Sequence, residues 1–146
     1  MNQFSWTLQV DLTDQQLWDG LVHKAEHPSP YVPAVTGCRV LERFEGGFLR
    51  EITVRDEVTV RERVTFHPGE RVVFRPVDDP AIEEIVNEQG HGPDGKPTLT
   101  LRVTLSPEGV AKAETTRYFR HETERYFSDT LAFMVEGLES RYRVDS

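Results

Sequence analysis

Two ionisable residues stand where the hydrophobic pattern calls for apolar ones. In the stretch 57–66, Val58, Val60, Val64 and Phe66 recur with the period of two that puts side chains on one face of a strand, and Glu62 falls on that same face. In the stretch 48–54, Phe48, Ile52 and Val54 share a face with Arg50. A buried charge costs several kcal/mol or neutralises unless it is paired, so a guanidinium on the neighbouring strand is the natural partner for Glu62. Such a pair can hold the polar end of a ligand, or Glu62 can act as a general base. The plainer alternative is a structural ion pair on a face wetter than the pattern implies. Glu42 shares a face with Cys38, Val40 and Phe44 and would add a second inward carboxylate if that face is concave; paired carboxylates can divide acid and base roles.

Other chemistry is thinly supported. His23 and His27 have the i, i+4 spacing that can clamp a metal, but no third ligand is identifiable and a solvated helix face explains them as well. Cys38 has no base beside it in the sequence, and a free cysteine is usually a small buried hydrophobe. There is no G-x-G-x-x-G, P-loop, G-x-S-x-G or CxxC motif, so neither a nucleotide, a cofactor nor a metal is called for.

The elements that must position Arg50 and Glu62 are legible. Residues 3–11 alternate Phe4, Trp6, Leu8 and Val10 as a half-buried strand. Thr13 and Gln16 form a capping box, flanked by Leu12 and Leu17 as a hydrophobic staple, so a helix starts at Asp14. Its apolar stripe is Leu17, Trp18, Leu21, Val22 and Ala25, and Pro28, Pro30 and Pro33 end it near Glu26. A second short helical turn is expected over 31–35. Alternating segments at 37–45, 48–54, 57–66, 70–77, 81–89 and 97–106, joined at Gly46-Gly47, His67-Pro68-Gly69-Glu70, Asp78-Asp79-Pro80 and a loop from Gly90 to Pro97, read as an antiparallel meander. After Pro107 the period becomes helical: Phe119, Phe127, Thr130, Leu131, Met134 and Leu138 lie on one side, and Glu122, Arg125, Asp129, Glu136, Glu139 and Arg143 on the other. One long helix over about 114–142 follows.

The fold class is therefore α+β: seven curved antiparallel strands wrapped around a long C-terminal helix, with two short helices after strand 1. A sheet wrapped on a helix cannot fill its hollow, and an apolar cavity with a few convergent polar groups is the usual form of a small-molecule site. Trp18, Phe48, Phe66, Phe74, Leu101, Phe127, Leu131 and Met134 are the candidate lining, joined by Arg50 and Glu62; most of the apolar ones would be needed as core in any case.

Composition narrows the partners. A chain of 146 residues suits one domain spanning 1–146 and buries roughly two-thirds of its unfolded surface without staples. A formal charge of −8 disfavours phosphate backbones and anionic lipid, so neither nucleic acid nor a membrane is expected as a partner. The single cysteine excludes an internal disulfide, and MNQFSWTLQV lacks the basic flank and apolar run of a signal peptide, which points to the cytoplasm. A homodimer is compatible with all of this.

The order strand, helix, short helix, six-strand meander, long helix resembles the helix-grip fold of the START-like or SRPBCC superfamily, which includes the birch-pollen-allergen fold, lipid carriers and polyketide cyclases. Within it, the run from Leu17 to Ala25 (LWDGLVHKA), the prolines after it, Cys38 to Glu42 (CRVLE) and Glu57 to Val64 (EVTVRERV) resemble the AtaL-like branch, over residues 1–106 by sequence and over the last helix by shape. The resemblance implies a fold and a hydrophobic pocket, without implying a reaction. Three functions compete: binding a small hydrophobic molecule (aromatic, polyketide-like or lipid); a cyclase, dehydratase or related lyase in which Glu62 and Arg50 move protons or stabilise an enolate; and a protein-interaction module.

Overall fold

The computed structural model describes the backbone of residues 2–77, 79–115 and 117–143, and the side chains among these outside 113–123. The chain runs β1 (Gln3–Gln9), α1 (Asp14–Glu26), β2 (Val35–Phe44), β3 (Gly47–Val54), β4 (Val58–His67), β5 (Arg71–Pro76), β6 (Ile82–His91), β7 (Pro97–Leu105), α2 (Pro107–Thr115) and α3 (Arg117–Arg141). The strands form one curved antiparallel sheet in the order β1-β7-β6-β5-β4-β3-β2. The α+β helix-grip architecture read from the sequence is the one observed, with strand ends within two residues of those expected.

Local chemistry accounts for the elements. Thr13 Oγ1 accepts from the Gln16 N–H at 3.1 Å and Gln16 Oε1 accepts from the Thr13 N–H at 3.0 Å, which completes the capping box of α1. Arg55 and Asp56 occupy left-handed backbone (φ 53 and 59) and the Glu57 N–H donates to Val54 O, a two-residue hairpin turn whose twist suits the strands it joins. The second short helix expected over 31–35 does not form; turns stand in its place, with Pro28 O accepting from the Tyr31 and Val32 N–H groups and Val32 O from the Val35 N–H.

At the C-terminal end the expected single helix is preceded by a separate one. Ser106 Oγ accepts from the Gly109 N–H at 3.1 Å and Pro107 occupies the first helical position, so Ser-Pro is a start signal that the apolar period alone does not show. Leu131, Met134, Val135 and Leu138 of α3 are buried, each contributing about 1.5–3 kcal/mol by burial, while Arg125, Asp129 and Glu136 face outward. Asp78 and the side chains of Phe119 and Glu122 lie outside the described residues.

Cross-strand register defines the concave face. Phe4, Val103, Ile85, Phe74, Val64 and Phe48 pair in one row across six strands; Trp6, Leu101, Asn87, Val72 and Phe66 pair in another. Phe4 and Val103 pack with Leu105 in one core, while the other apolar residues of these rows meet Leu17 and Leu21 of α1 and Leu131, Met134 and Leu138 of α3 in a second. Two glycines let the helices close on it. A Cβ at Gly20 would stand 2.6 Å from Leu138 Cδ2, and one at Gly137 would stand 2.8 Å from Pro30 O.

Candidate functional site

Arg50 and Glu62 are direct cross-strand partners on the concave face, and both are 5% exposed. Arg50 Nε and Nη2 both donate to Glu62 Oε1, at 2.9 and 2.5 Å, and Nη1 donates to Ala25 O in the last turn of α1 at 2.8 Å. The hairpin fixes the pair in register and the helix end supplies a third contact, so the guanidinium is held from two layers. Both bonds to the carboxylate land on Oε1; among the described residues no donor serves Oε2.

Lys24 completes the cluster. It is 5% exposed, and its Nζ donates to Asn87 Oδ1 at 2.9 Å, with Asn87 1% exposed. The Lys24 Nζ and the Arg50 guanidinium lie 4.7 and 4.8 Å from the centroid of the Phe74 ring, so one aromatic quadrupole serves two cations. Burial, then repulsion from Arg50, pushes Lys24 down from its ordinary 10.5 to about 7, against the opposing pull of Glu62. Lys24, Arg50, Glu62 and Asn87 are the buried polar or charged residues among those described.

All four line a cavity of about 110 Å³ whose remaining wall is mainly apolar, with Pro28, Val32, Val35, Ile52, Val54 and Ile85 at one side and Tyr126, Thr130 and Met134 of α3 at the other. Of the residues expected to line it, Arg50, Glu62, Phe74, Leu101, Phe127 and Met134 do. Phe48, Phe66 and Leu131 are instead packed into the core: Phe66 stands 6.4 Å from Trp18 and 5.7 Å from Phe48, ring to ring, and this aromatic plug fills that end of the hollow. Trp18 turns to a larger outer concavity of about 550 Å³ with Asp14, Glu70 and Glu88 on its wall. That surface is acidic and brings no buried charges together, so the smaller, mainly apolar cavity with its buried polar cluster is the better candidate site.

The remaining sequence candidates fall elsewhere. Glu42 is exposed and pairs with Leu49, because a bulge between Val40 and Glu42 shifts the face on which β2 side chains emerge; it is no second inward carboxylate. Cys38 is partly buried beside Arg50, and burial pushes its thiol upward, away from the nucleophilic thiolate. His23, partly buried, has Nδ1 2.7 Å from the Tyr31 hydroxyl, and its ring lies 4.9 Å from that of the exposed His27. No group of three metal-ligating side chains occurs among the described residues.

The pattern of the family AtaL, acetylaranotin biosynthesis cluster protein L, matches residues 5–134. The chain belongs to the AtaL family. The match takes in every cavity residue named above and runs into α3, further than the likeness legible by eye. No curated protein matches this AtaL-family sequence. Among solved structures it is similar to the di-domain ARO/CYC BexL from the BE-7585A biosynthetic pathway (16% identity, TM-score 0.70, over 99% of this chain and 50% of that one). It is similar also to the Zhui aromatase/cyclase from Streptomyces sp. R1128 (16%, 0.70, 97% and 96%). A START superfamily protein from Mycobacterium smegmatis shares the fold as well (14%, 0.64, 97% and 97%). The AtaL-family chain thus spans about half the length of BexL and nearly all of the other two, and at these identities the likeness shows the fold alone. No helix among the described residues is long and apolar enough to cross a membrane.

Proposed function

We propose that this AtaL-family chain is one ligand-binding domain, spanning 1–146, that holds a small, largely apolar molecule in the cavity, with Arg50 and Glu62 fixing its polar end. The observation that carries this reading is the convergence of three ionisable side chains, each 5% exposed, on an otherwise mainly apolar hollow. Burying them costs stability that an apolar core of the same volume would not. Retention of such a cluster at a cavity wall makes sense where a ligand uses it. The volume of about 110 Å³ suits a single ring, since a dry cavity of about 150 Å³ accepts benzene. Longer polyketide-like or lipid molecules require the α3 wall at Tyr126, Phe127 and Thr130 to move outward.

The test is native mass spectrometry of the protein purified from its own host, set against the denatured mass. A bound species of up to a few hundred daltons, lost on denaturation and retained less well by Glu62→Gln, is the expected result. No co-purifying species, together with no thermal stabilisation by a panel of one-ring apolar compounds, would sink the reading.

A second reading has its own observation. With Oε2 of Glu62 receiving no hydrogen bond among the described residues and two cations nearby, the site has the parts to take a proton from carbon next to a carbonyl and stabilise the resulting enolate, as a cyclase or dehydratase-like lyase requires. Turnover that disappears in Glu62→Gln while the fold persists supports it; turnover unaffected by that change excludes it.

A further inference from the structure

The cavity wall carries two cationic side chains, Lys24 and Arg50, and one carboxylate, Glu62. Glu62 is already committed to Arg50 through two hydrogen bonds on one oxygen. Lys24 has no carboxylate of its own: among the described residues it donates to Asn87 Oδ1, a neutral acceptor, and an ammonium group has three donors to place. The wall therefore lacks one negative charge and one strong acceptor when Lys24 is protonated.

We propose that the ligand is an acid, with a carboxylate or an acidic enol or phenol oxygen on a body of about one ring, and that its anion binds Lys24 beside the Arg50–Glu62 pair. This deepens the binding reading above and rests on it. A cationic ligand is disfavoured, since with Lys24 protonated the two cations and one carboxylate already leave the wall with a net positive charge. A neutral ligand can offer Lys24 an acceptor but leaves the missing negative charge unsupplied. An anion removes both deficits, in a low-dielectric site where such charge-assisted bonds are strongest.

Proton uptake follows from the same geometry. The groups that face Lys24 are Arg50 from β3, Glu62 from β4, the Phe74 ring from β5 and Asn87 from β6, with Tyr126 of α3 on the same cavity wall. On α1 itself, the neighbouring His23 is engaged with Tyr31. Without a ligand, burial and Arg50 hold Lys24 near neutrality at about 7. An adjacent anion restores its proton, so binding above that pH draws one proton from solution.

The experiment is isothermal titration of the full chain with benzoate and with benzamide, two probes of nearly equal size that differ in charge, at pH 7 and 8.5 and in buffers of different ionisation enthalpy. The expected result is benzoate binding at least about tenfold more tightly than benzamide at pH 7, and weakening by about tenfold per pH unit above that, with nearly one proton taken up per benzoate at pH 8.5. Lys24→Met and Lys24→Gln, the latter keeping a donor for Asn87, should lose both the preference and the proton uptake. Benzamide binding as tightly as benzoate, or a benzoate preference that survives in either variant that unfolds cooperatively, overturns the proposal and leaves the binding reading intact. Binding of neither probe overturns both.

Discussion

Lys24→Met should make the protein more stable at pH 7 and less stable at pH 10. The folded chain releases the Lys24 proton near 7, whereas the unfolded chain keeps it up to about 10.5. Between those values the unfolded state holds more protons, so this group makes stability rise with pH; below 7 its penalty is complete and constant. At about 1.4 kcal/mol per pH unit, the penalty is about 4 kcal/mol at pH 7 and about 1 kcal/mol at pH 10. Methionine keeps most of the length of the side chain and removes the penalty at both pH values. It also removes the donor to Asn87 Oδ1, which at 1% exposure is left unpaired at a cost of about 1–3 kcal/mol. The balance is a gain of about 2 kcal/mol at pH 7 that becomes a loss of about 1 kcal/mol at pH 10. Urea unfolding of both proteins at four pH values measures it, and the difference between them cancels every other titrating group. A stability difference that stays flat from pH 7 to 10 would refute the argument, because it would mean that Lys24 titrates alike in the folded and unfolded chain.

Three further outcomes follow from the packing. Arg50→Met strands the Glu62 carboxylate and should cost about 3–5 kcal/mol in urea unfolding, whereas the double change Arg50→Met with Glu62→Leu should recover much of that loss; a double variant no better than the single one contradicts the pairing. Gly137→Ala forces a methyl group against Pro30 O and Tyr31, and its overpacking cost of about 1–3 kcal/mol should outweigh the gain of about 1 kcal/mol in helix propensity, lowering the urea midpoint without altering the slope. Met134→Ala should cost about 2–5 kcal/mol and enlarge the cavity enough for two-ring compounds to raise its melting temperature where they leave the parent chain unchanged.

What could be read from the sequence was set by how strictly a residue's neighbours fix its direction. Arg50 and Glu62 emerge at once, because the strand period leaves a single choice of face and both neighbours in the pattern are apolar. Lys24 does not, although its spacing from Leu17 and Leu21 puts it on the buried stripe of α1: a helical lysine is ordinarily solvated, and hydrophobic periodicity marks only apolar residues. Asn87 is obscured differently. Val86 and Asn87 are both buried, so β6 shows no clean alternation from which to pick an inward face. Glu42 fails because a bulge leaves no trace in the alternation until the partner strand is known. Trp18, Phe48, Phe66 and Leu131 illustrate a separate limit. Periodicity says which way an aromatic or leucine points, while the contacts among Trp18, Phe66 and Phe48 decide whether space remains in front of it.

The strand order also sets a sequence of events for the newly made chain. From β2 to β7 every strand pairs with the next one in sequence, so Arg50 and Glu62, which face each other across a single hairpin, can meet while both are still in water. Their hydration is stripped later, when α1 and α3 close over them. β1 has to wait longer still, because Gln3 pairs with Thr104 and its strand finds no neighbour until the far edge of the meander exists. On a ribosome, β1 is therefore made before the rest of this sheet yet joined to it last, and Phe4 and Trp6 stay uncovered until β7 is in place.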